Sequence, residues 1–482
     1  MKLSKYIYIM IILAVSGCEG FLDETVYNQL APDNLLQTED GVEALLTAAY
    51  AETSLGGSKY HQIESEWSTD ISWQSGGGEN VYALLYMNFT IDASEGNLFS
   101  RLWSQPYQGI RNCNVLLDNL QDASFPVEKI DEWTAETRFL RAQNYITLYQ
   151  AFGPVVLRTS ENDPLSQLRV GEEEMENFII TELSESIDGL PAKGQEKAYG
   201  RVNKDIATAV LCKFYLNTGR WSESAVLALD LINSGRYDLY PEYEDLFKVE
   251  NERNKEFIFV RPRTHLSRSQ SLDWMASAFP AGFRADPVSG LLWQSTWANF
   301  GSQYRLYDSF YNSFDPNDKR RNLILTTYVN TSQDTLTLLG NDDTRSFKFW
   351  PDPNADGAAH GNDWPVIRYA DILLSRAEAL NEMNGPTQEA LDLINLVRDR
   401  AGVDDLVLGD FPSKESLRDH LVAERGWELY TEGHRRVDLI RMGKFIEFAQ
   451  ARGKNAKSHH VRYPIPQQAI DSDSLLIQNT GY

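Results

Sequence analysis

Residues 262–365 carry a concentration of ring-bearing and hydrogen-bonding side chains: Trp274, Phe283, Arg284, Trp293, Trp297 and Asn299. An earlier loop-like stretch adds Trp67, Asp70 and Trp73. Indole and phenyl faces stack on flat C–H surfaces, while amide, carboxylate and guanidinium groups bond hydroxyls at the edges of the same molecule. That mixture suits a carbohydrate, and these residues are the candidate ligand contacts. A second pattern runs through Asp352, Asn354, Asp356 and Gly357, with Asp363 at the twelfth position. Alternating oxygen donors ahead of a glycine match the start of a calcium loop, although a bidentate Glu is usual at the end. A structural calcium on Asp352, Asn354, Asp356 and Asp363 is therefore one expectation. The competing one is a turn whose short polar side chains bond their own backbone. No other cofactor is expected.

Catalytic signatures are missing. No nucleophile elbow, zinc-protease helix or phosphate loop occurs. Glu64, Glu66 and Asp70 lie near Trp67 and Trp73 and come closest to a glycosidase pair. With 69 Asp and Glu in 482 residues, however, such proximity arises by chance. A non-catalytic protein is expected. The net charge of −24 repels nucleic-acid backbones, so nucleic acid is not an expected partner. The 3 cysteines are too few for a disulfide scaffold. Cys113 and Cys212 fall on helical patterns and read as small buried apolar groups, with a bridge between them left open.

The elements that must position these residues begin with a leader. Lys2 and Lys5 precede an apolar run at 6–15. The run is shorter than the ~20 residues that span a bilayer, and it has the length of a signal-peptide core. It leads into Val15, Ser16, Gly17 and Cys18, a lipoprotein-type cleavage box. Residues 1–17 are thus expected to be a signal peptide, with lipid on the Cys18 sulfur and an arm over 18–37. Helical pattern runs from Thr38, an N-cap, to about residue 53, and again over 99–120, with a loop between. Three later helical segments end at Gly153, Gly219 and Gly385, as a left-handed cap requires, and each is followed by a second helical pattern. Hairpins of about 34 residues have tetratricopeptide spacing and stack into a superhelix. The expected fold class is mainly α, a tetratricopeptide-like superhelix. Its helical-repeat part is 38–261 and its loop-rich insertion 262–365, with short strands near 256–260 and 326–330. A C-terminal helical part, 366–482, has helical pattern over 367–401 and 413–448.

Several motifs then coincide. Cys18 is followed by Phe21, Leu22 and Asp23. Arg368, Tyr369, Ala370 and Asp371 precede Ala377, Glu378 and Ala379. Glu424, Arg425, Glu428, Leu429, Glu432, Gly433, His434, Arg435, Asp438, Leu439 and Arg441 form a third group. Tyr463, Pro464, Ile465 and Pro466 lead to a closing Gln478, Asn479, Gly481 and Tyr482. In this order the motifs resemble the SusD/RagB family of Bacteroidetes outer-membrane lipoproteins, along essentially the whole mature chain. The resemblance implies a helical scaffold carrying a loop-rich binding region, a place on the cell surface, and capture of oligo- or polysaccharide for a SusC-like TonB-dependent transporter, without catalysis. A transporter lid with little glycan affinity and a peptide-binding member of the family stay open. The charged residues of the third group recur at helical spacing, which predicts an ion-pair network across a helix corner. Arg368 and Asp371, three apart, suit a pair at a helix start.

Overall fold

The computed structural model describes residues 36–53, 65–95, 100–121, 123–301 and 303–482. The leader, Cys18 and most of the arm lie outside the described residues.

Thr38 accepts a hydrogen bond from Gly41 N and opens α1 (Glu39–Glu52). There follow β1 (Ser72–Gln74), α2 (Asn80–Asn88), α3 (Gln105–Leu120), α4 (Val127–Phe152), α5 (Glu172–Gly189), α6 (Lys204–Asn217) and α7 (Trp221–Asn233). Helix α1 packs on α3, and each helix from α3 to α7 packs on the next. Asn203 caps α6 through Ile206 N, and buried Ile206, Ala209, Val210 and Leu211 give α6 a broad apolar surface between its neighbours. The chain then leaves the stack through β2 (Phe257–Arg261), α8 (Trp274–Ala278), β3 (Phe283–Ala285), β4 (Tyr304–Leu306), α9 (Asp308–Asn312), β5 (Ile324–Leu325), β6 (Thr327–Asn330), β7 (Thr335–Thr337) and β8 (Arg345–Ser346). It returns through β9 (Trp364–Arg368) into α10 (Tyr369–Asn384), α11 (Gln388–Ala401), α12 (Lys414–Leu429), α13 (Arg435–Arg441), α14 (Phe445–Ala451) and α15 (Gln467–Ser472).

Helix α10 packs on α7, so the helical stack resumes where the excursion left it. Antiparallel pairing of β2 with β9 ties the two ends of that excursion together. Other small ladders hold it in shape: β1 with β4, β3 with β6 and β7, and β5 with β8. Gly200 sits at the root with φ +88°, and a Cβ there would run into the Pro262 ring. Gly200→Ala is accordingly expected to cost about 1–3 kcal/mol, through a disfavoured backbone and a displaced proline. Chemical denaturation checks this, and an unchanged midpoint would contradict the close approach.

The mainly helical fold agrees with the sequence expectation, and three local features differ. Gly153 and Gly385 combine φ of 74° and 75° with ψ of −157° and −170°. This region is reached essentially by glycine alone, and it is not the left-handed helical cap. Helix α2 occupies part of an expected loop; Phe89, at φ 57°, ends it without a glycine. The pattern over 413–448 breaks into α12, α13 and α14, because Thr431 and Gly433 turn the chain at φ 70° and 87° and Gly443 turns it again at 72°.

Candidate functional site

The described aromatic residues of the excursion fall into an interior group and a part-exposed edge. Phe279 is the hub. It stacks on Trp297 at 5.6 Å and 17°, and meets Trp293 edge-on at 5.2 Å and Phe347 at 5.6 Å. Phe283 lies 5.2 Å from Phe279 and stacks on Tyr328. Trp274 and Trp67 both lean on Tyr304, at 4.8 and 5.3 Å.

Burial corrects the sequence assignment for several candidates. Trp67, Trp274, Phe283 and Trp297 are 1, 4, 2 and 5 % exposed. Trp274 Nε1 donates to Ser346 O and Trp297 Nε1 to Asp352 O, both at 3.0 Å, so each polar handle is used inside. These rings pin the excursion to itself and present no face to a ligand in this arrangement. Asp70 is likewise committed: its two oxygens accept from Arg435 at 2.8 and 2.7 Å. Asn299 is half-buried, donating to Pro280 O and accepting from Gly301 N.

What stays open is a ledge. Trp293 is half-buried at the rim of the cluster, and Leu292 next to it, Arg284 across the hairpin and Phe300 further along the chain are exposed. Trp293 N donates to Arg284 O at 2.8 Å, which fixes the ledge as the second arm of a tight hairpin from β3. Further along the chain β4 pairs with β1, which carries half-buried Trp73. There Trp73 Nε1 donates to Asp342 O at 2.9 Å, its ring parallels Tyr307, and the Arg305 guanidinium lies 4.9 Å from it. Part-exposed rings with guanidinium groups nearby can stack on a ligand's apolar face and donate to its oxygens.

The calcium expectation is corrected. Asp352 spends Oδ1 on Asn354 N and Oδ2 on Gly361 N, at 2.8 and 2.9 Å. Asp363 accepts from Arg263 N at 2.9 Å and from the Tyr199 hydroxyl at 2.6 Å. Asn354 and Asp356 face solvent. The motif is thus a turn that bonds its own backbone. Among the described residues no group of His, Cys, Asp and Glu is arranged to hold a metal ion.

The ion-pair network is more extensive than helical spacing alone predicts. Arg368 binds Glu432 at 2.7 Å, Glu428 at 2.9 Å, and Glu256. Arg400 bridges Glu256 and Glu428, at 2.9 and 2.5 Å. Arg320 binds Asp318 and Glu424, at 2.7 and 2.6 Å. Lys348 donates to Glu432 at 2.5 Å, with the Tyr430 ring 4.3 Å from its Nζ. Burial raises the Glu428 carboxyl, but Arg400, Arg368 and Arg320 outweigh it and hold the group well below the usual range. Burial pulls Lys348 down to about 8 against the pull of Glu432. Arg368 and Asp371 do not pair with each other, correcting that expectation: Asp371 takes Lys213 and Arg425, at 2.6 and 2.8 Å. A cavity of about 200 Å³ beside this second cluster is lined by Gln143, Lys213, Asn217, His434 and Asp438.

Glu66 and Asp70 do not form a usable acid–base pair. Glu66 is fully buried, burial pushes it up to about 8, and it accepts from Gly433 N at 3.0 Å. Cys113 and Cys212 are buried free thiols, pushed by burial to about 12 and 11 and held as inert S–H groups.

Comparison with known proteins places this geometry. A family model described as "SusD family" matches residues 234–482, and one described as "Starch-binding associating with outer membrane" matches residues 20–216. The chain belongs to the SusD family. It is 26 % identical to SusD-like protein P25 of Formosa agariphila, over 100 % of both chains. A solved laminarin-binding SusD-like protein superposes with a TM-score of 0.77 at 26 % identity, covering 92 % of this SusD-family chain and 100 % of that one. Surface glycan-binding protein A from Bacteroides thetaiotaomicron, solved with laminarihexaose, gives 0.75 at 22 % identity, with coverage of 92 % and 99 %.

Proposed function

We propose that this chain is a non-catalytic, cell-surface glycan-binding protein. In this reading it is lipid-anchored to the outer membrane through Cys18. It captures oligo- or polysaccharide and delivers it to a SusC-like TonB-dependent transporter. The observation that carries the reading is the likeness, along nearly the whole chain, to a SusD-family protein that binds laminarin. The part-exposed Trp293 and Trp73, with Arg284 and Arg305 near them, supply stacking and donor groups consistent with it. No helix among the described residues is long and apolar enough to cross a membrane.

A second reading draws support from the burial of Trp67, Trp274, Phe283 and Trp297. So few open rings also suit a transporter lid with little glycan affinity. Affinity electrophoresis in gels containing laminarin, starch or xylan separates the two. Glycan binding predicts retardation in at least one gel and a loss of affinity of about tenfold or more in Trp293→Ala, the range of a hot-spot aromatic. Unretarded migration in every gel would favour the lid.

A further inference from the structure

Helices α4 and α6 each turn one stripe toward a common space. Gln143, Ile146 and Gln150 of α4 and Val210, Lys213 and Asn217 of α6 follow the three-and-four spacing of a single helix face, and both sets line the cavity of about 200 Å³. Val366 of β9 joins them, as do His434 and Val437 at the start of α13. The space therefore lies where the helical stack meets the C-terminal part.

The polar groups of this lining have bonding capacity to spare. Among the described residues, the His434 ring and the Gln143 and Gln150 amides have no hydrogen-bond partner, and Gln143 Oε1 is sealed without a donor. Burial lowers His434 against the pull of Asp371, so its ring is neutral, with one nitrogen to donate and one to accept. Asn217 Oδ1 accepts from Arg441 at 2.7 Å, which leaves its amide N–H groups open. Lys213 directs two of its three N–H bonds to α10, reaching Asp371 at 2.6 Å and Ser375 at 3.4 Å. Polar groups so placed ordinarily have partners.

The charged groups of the lining are already engaged. Lys213 is met by Asp371, Arg441 by Glu378 and Asp438, and Glu432 by Arg368. Arg436 donates to Val461 O at 2.9 Å and lies over the Tyr463 ring. A charged guest would have to displace one of these contacts, and a neutral guest need not. Water could bond the polar groups but would gain nothing from Ile146, Val210, Val366 and Val437. A molecule with hydroxyls and a C–H face satisfies both kinds of lining. A cavity of about 150 Å³ admits benzene, so one of about 200 Å³ has room for a single sugar ring with its hydroxyls.

We propose that this cavity binds one neutral monosaccharide, at a site separate from the ledge around Trp293. His434 and Asn217 bond its hydroxyls, and the aliphatic side chains of α4, α6 and β9 cover its C–H face.

The test is calorimetric titration of the full chain with glucose, galactose and xylose, each neutral, and with glucuronate as a charged counterpart, beside crystals soaked in the same sugars. The expected result is saturable binding of at least one neutral sugar at one site per chain, weaker binding of glucuronate, and density for a sugar ring in the cavity. His434→Ala and Asn217→Ala should each lower that affinity about tenfold, the effect of one lost hydrogen bond from a buried group. Trp293→Ala should leave it unchanged. Silence from all three neutral sugars, tighter binding of glucuronate, or density for water alone would overturn the proposal and leave the polysaccharide reading standing. Binding lost in Trp293→Ala and kept in the cavity variants would overturn it too, by placing the sugar on the ledge. Should His434→Ala lose its thermal transition, Asn217→Ala decides.

Discussion

Replacing Arg368 with alanine is expected to destabilise the protein by about 3–5 kcal/mol, the cost of orphaning buried charges. Arg368 has 1 % side-chain exposure, and Glu256, Glu428 and Glu432 around it have 0 %. Removing the guanidinium leaves these carboxylates facing one another in a low dielectric, with Arg400, Arg320 and Lys348 as the remaining cations. The network joins the start of β2, β9, α11, α12 and the corner after α12, so its failure frees the excursion from the scaffold. Chemical denaturation measures the loss, and a change below about 1 kcal/mol would contradict the pairing. The same network sets the acid limit. Glu428, Asp371 and Asp438 are held low by their cations against burial, and Glu43 is held at about 2 by Trp133 and Arg201. Carboxylates depressed on folding contribute fully above their unfolded pKa of about 4, and the contribution is lost as pH falls through the folded values. Stability should therefore hold down to about pH 5 and fall steeply between about pH 4 and 2. A transition already under way at pH 6 would contradict this assignment.

The second large effect is expected at Trp297. Trp297→Ala empties the space beside Phe279 and Trp293 and leaves Asp352 O without its donor. A cost of about 3–5 kcal/mol is expected for such a buried ring. Trp293→Ala, at the rim, should cost much less stability than that while weakening glycan retention. Thermal melts run beside affinity gels measure both. A Trp297→Ala protein of unchanged stability that has lost only binding would return Trp297 to the ligand surface and reverse the inside–outside assignment.

These contrasts show what could be read from the chain alone. The helices were legible because Thr38 caps, Gly153, Gly219 and Gly385 stop, and apolar residues repeat at the helical period. The charged face of Glu424, Glu428 and Glu432 was legible for the same reason. Their partners Arg320 and Lys348, and Glu256, which shares Arg368 and Arg400 with Glu428, were not, since they lie outside the patterned helices and come together only in the folded chain. The aromatic loop showed the limit of composition. Trp274 and Trp293 are alike as residues, and what separates them is whether Nε1 finds an interior carbonyl and whether the ring lies at the rim. Asp352 and Asp363 had the spacing of metal ligands, yet nearby backbone N–H groups and Tyr199 claimed their oxygens first.

The most direct measurement is a calorimetric titration of the full chain with laminarin, starch, xylan and polygalacturonate, with reducing ends assayed in the same samples over a day. The account predicts saturable heat with at least one polymer and no increase in reducing ends with any. Absence of heat from every polymer with a folded protein, or steady release of new reducing ends, would contradict a non-catalytic glycan-binding protein.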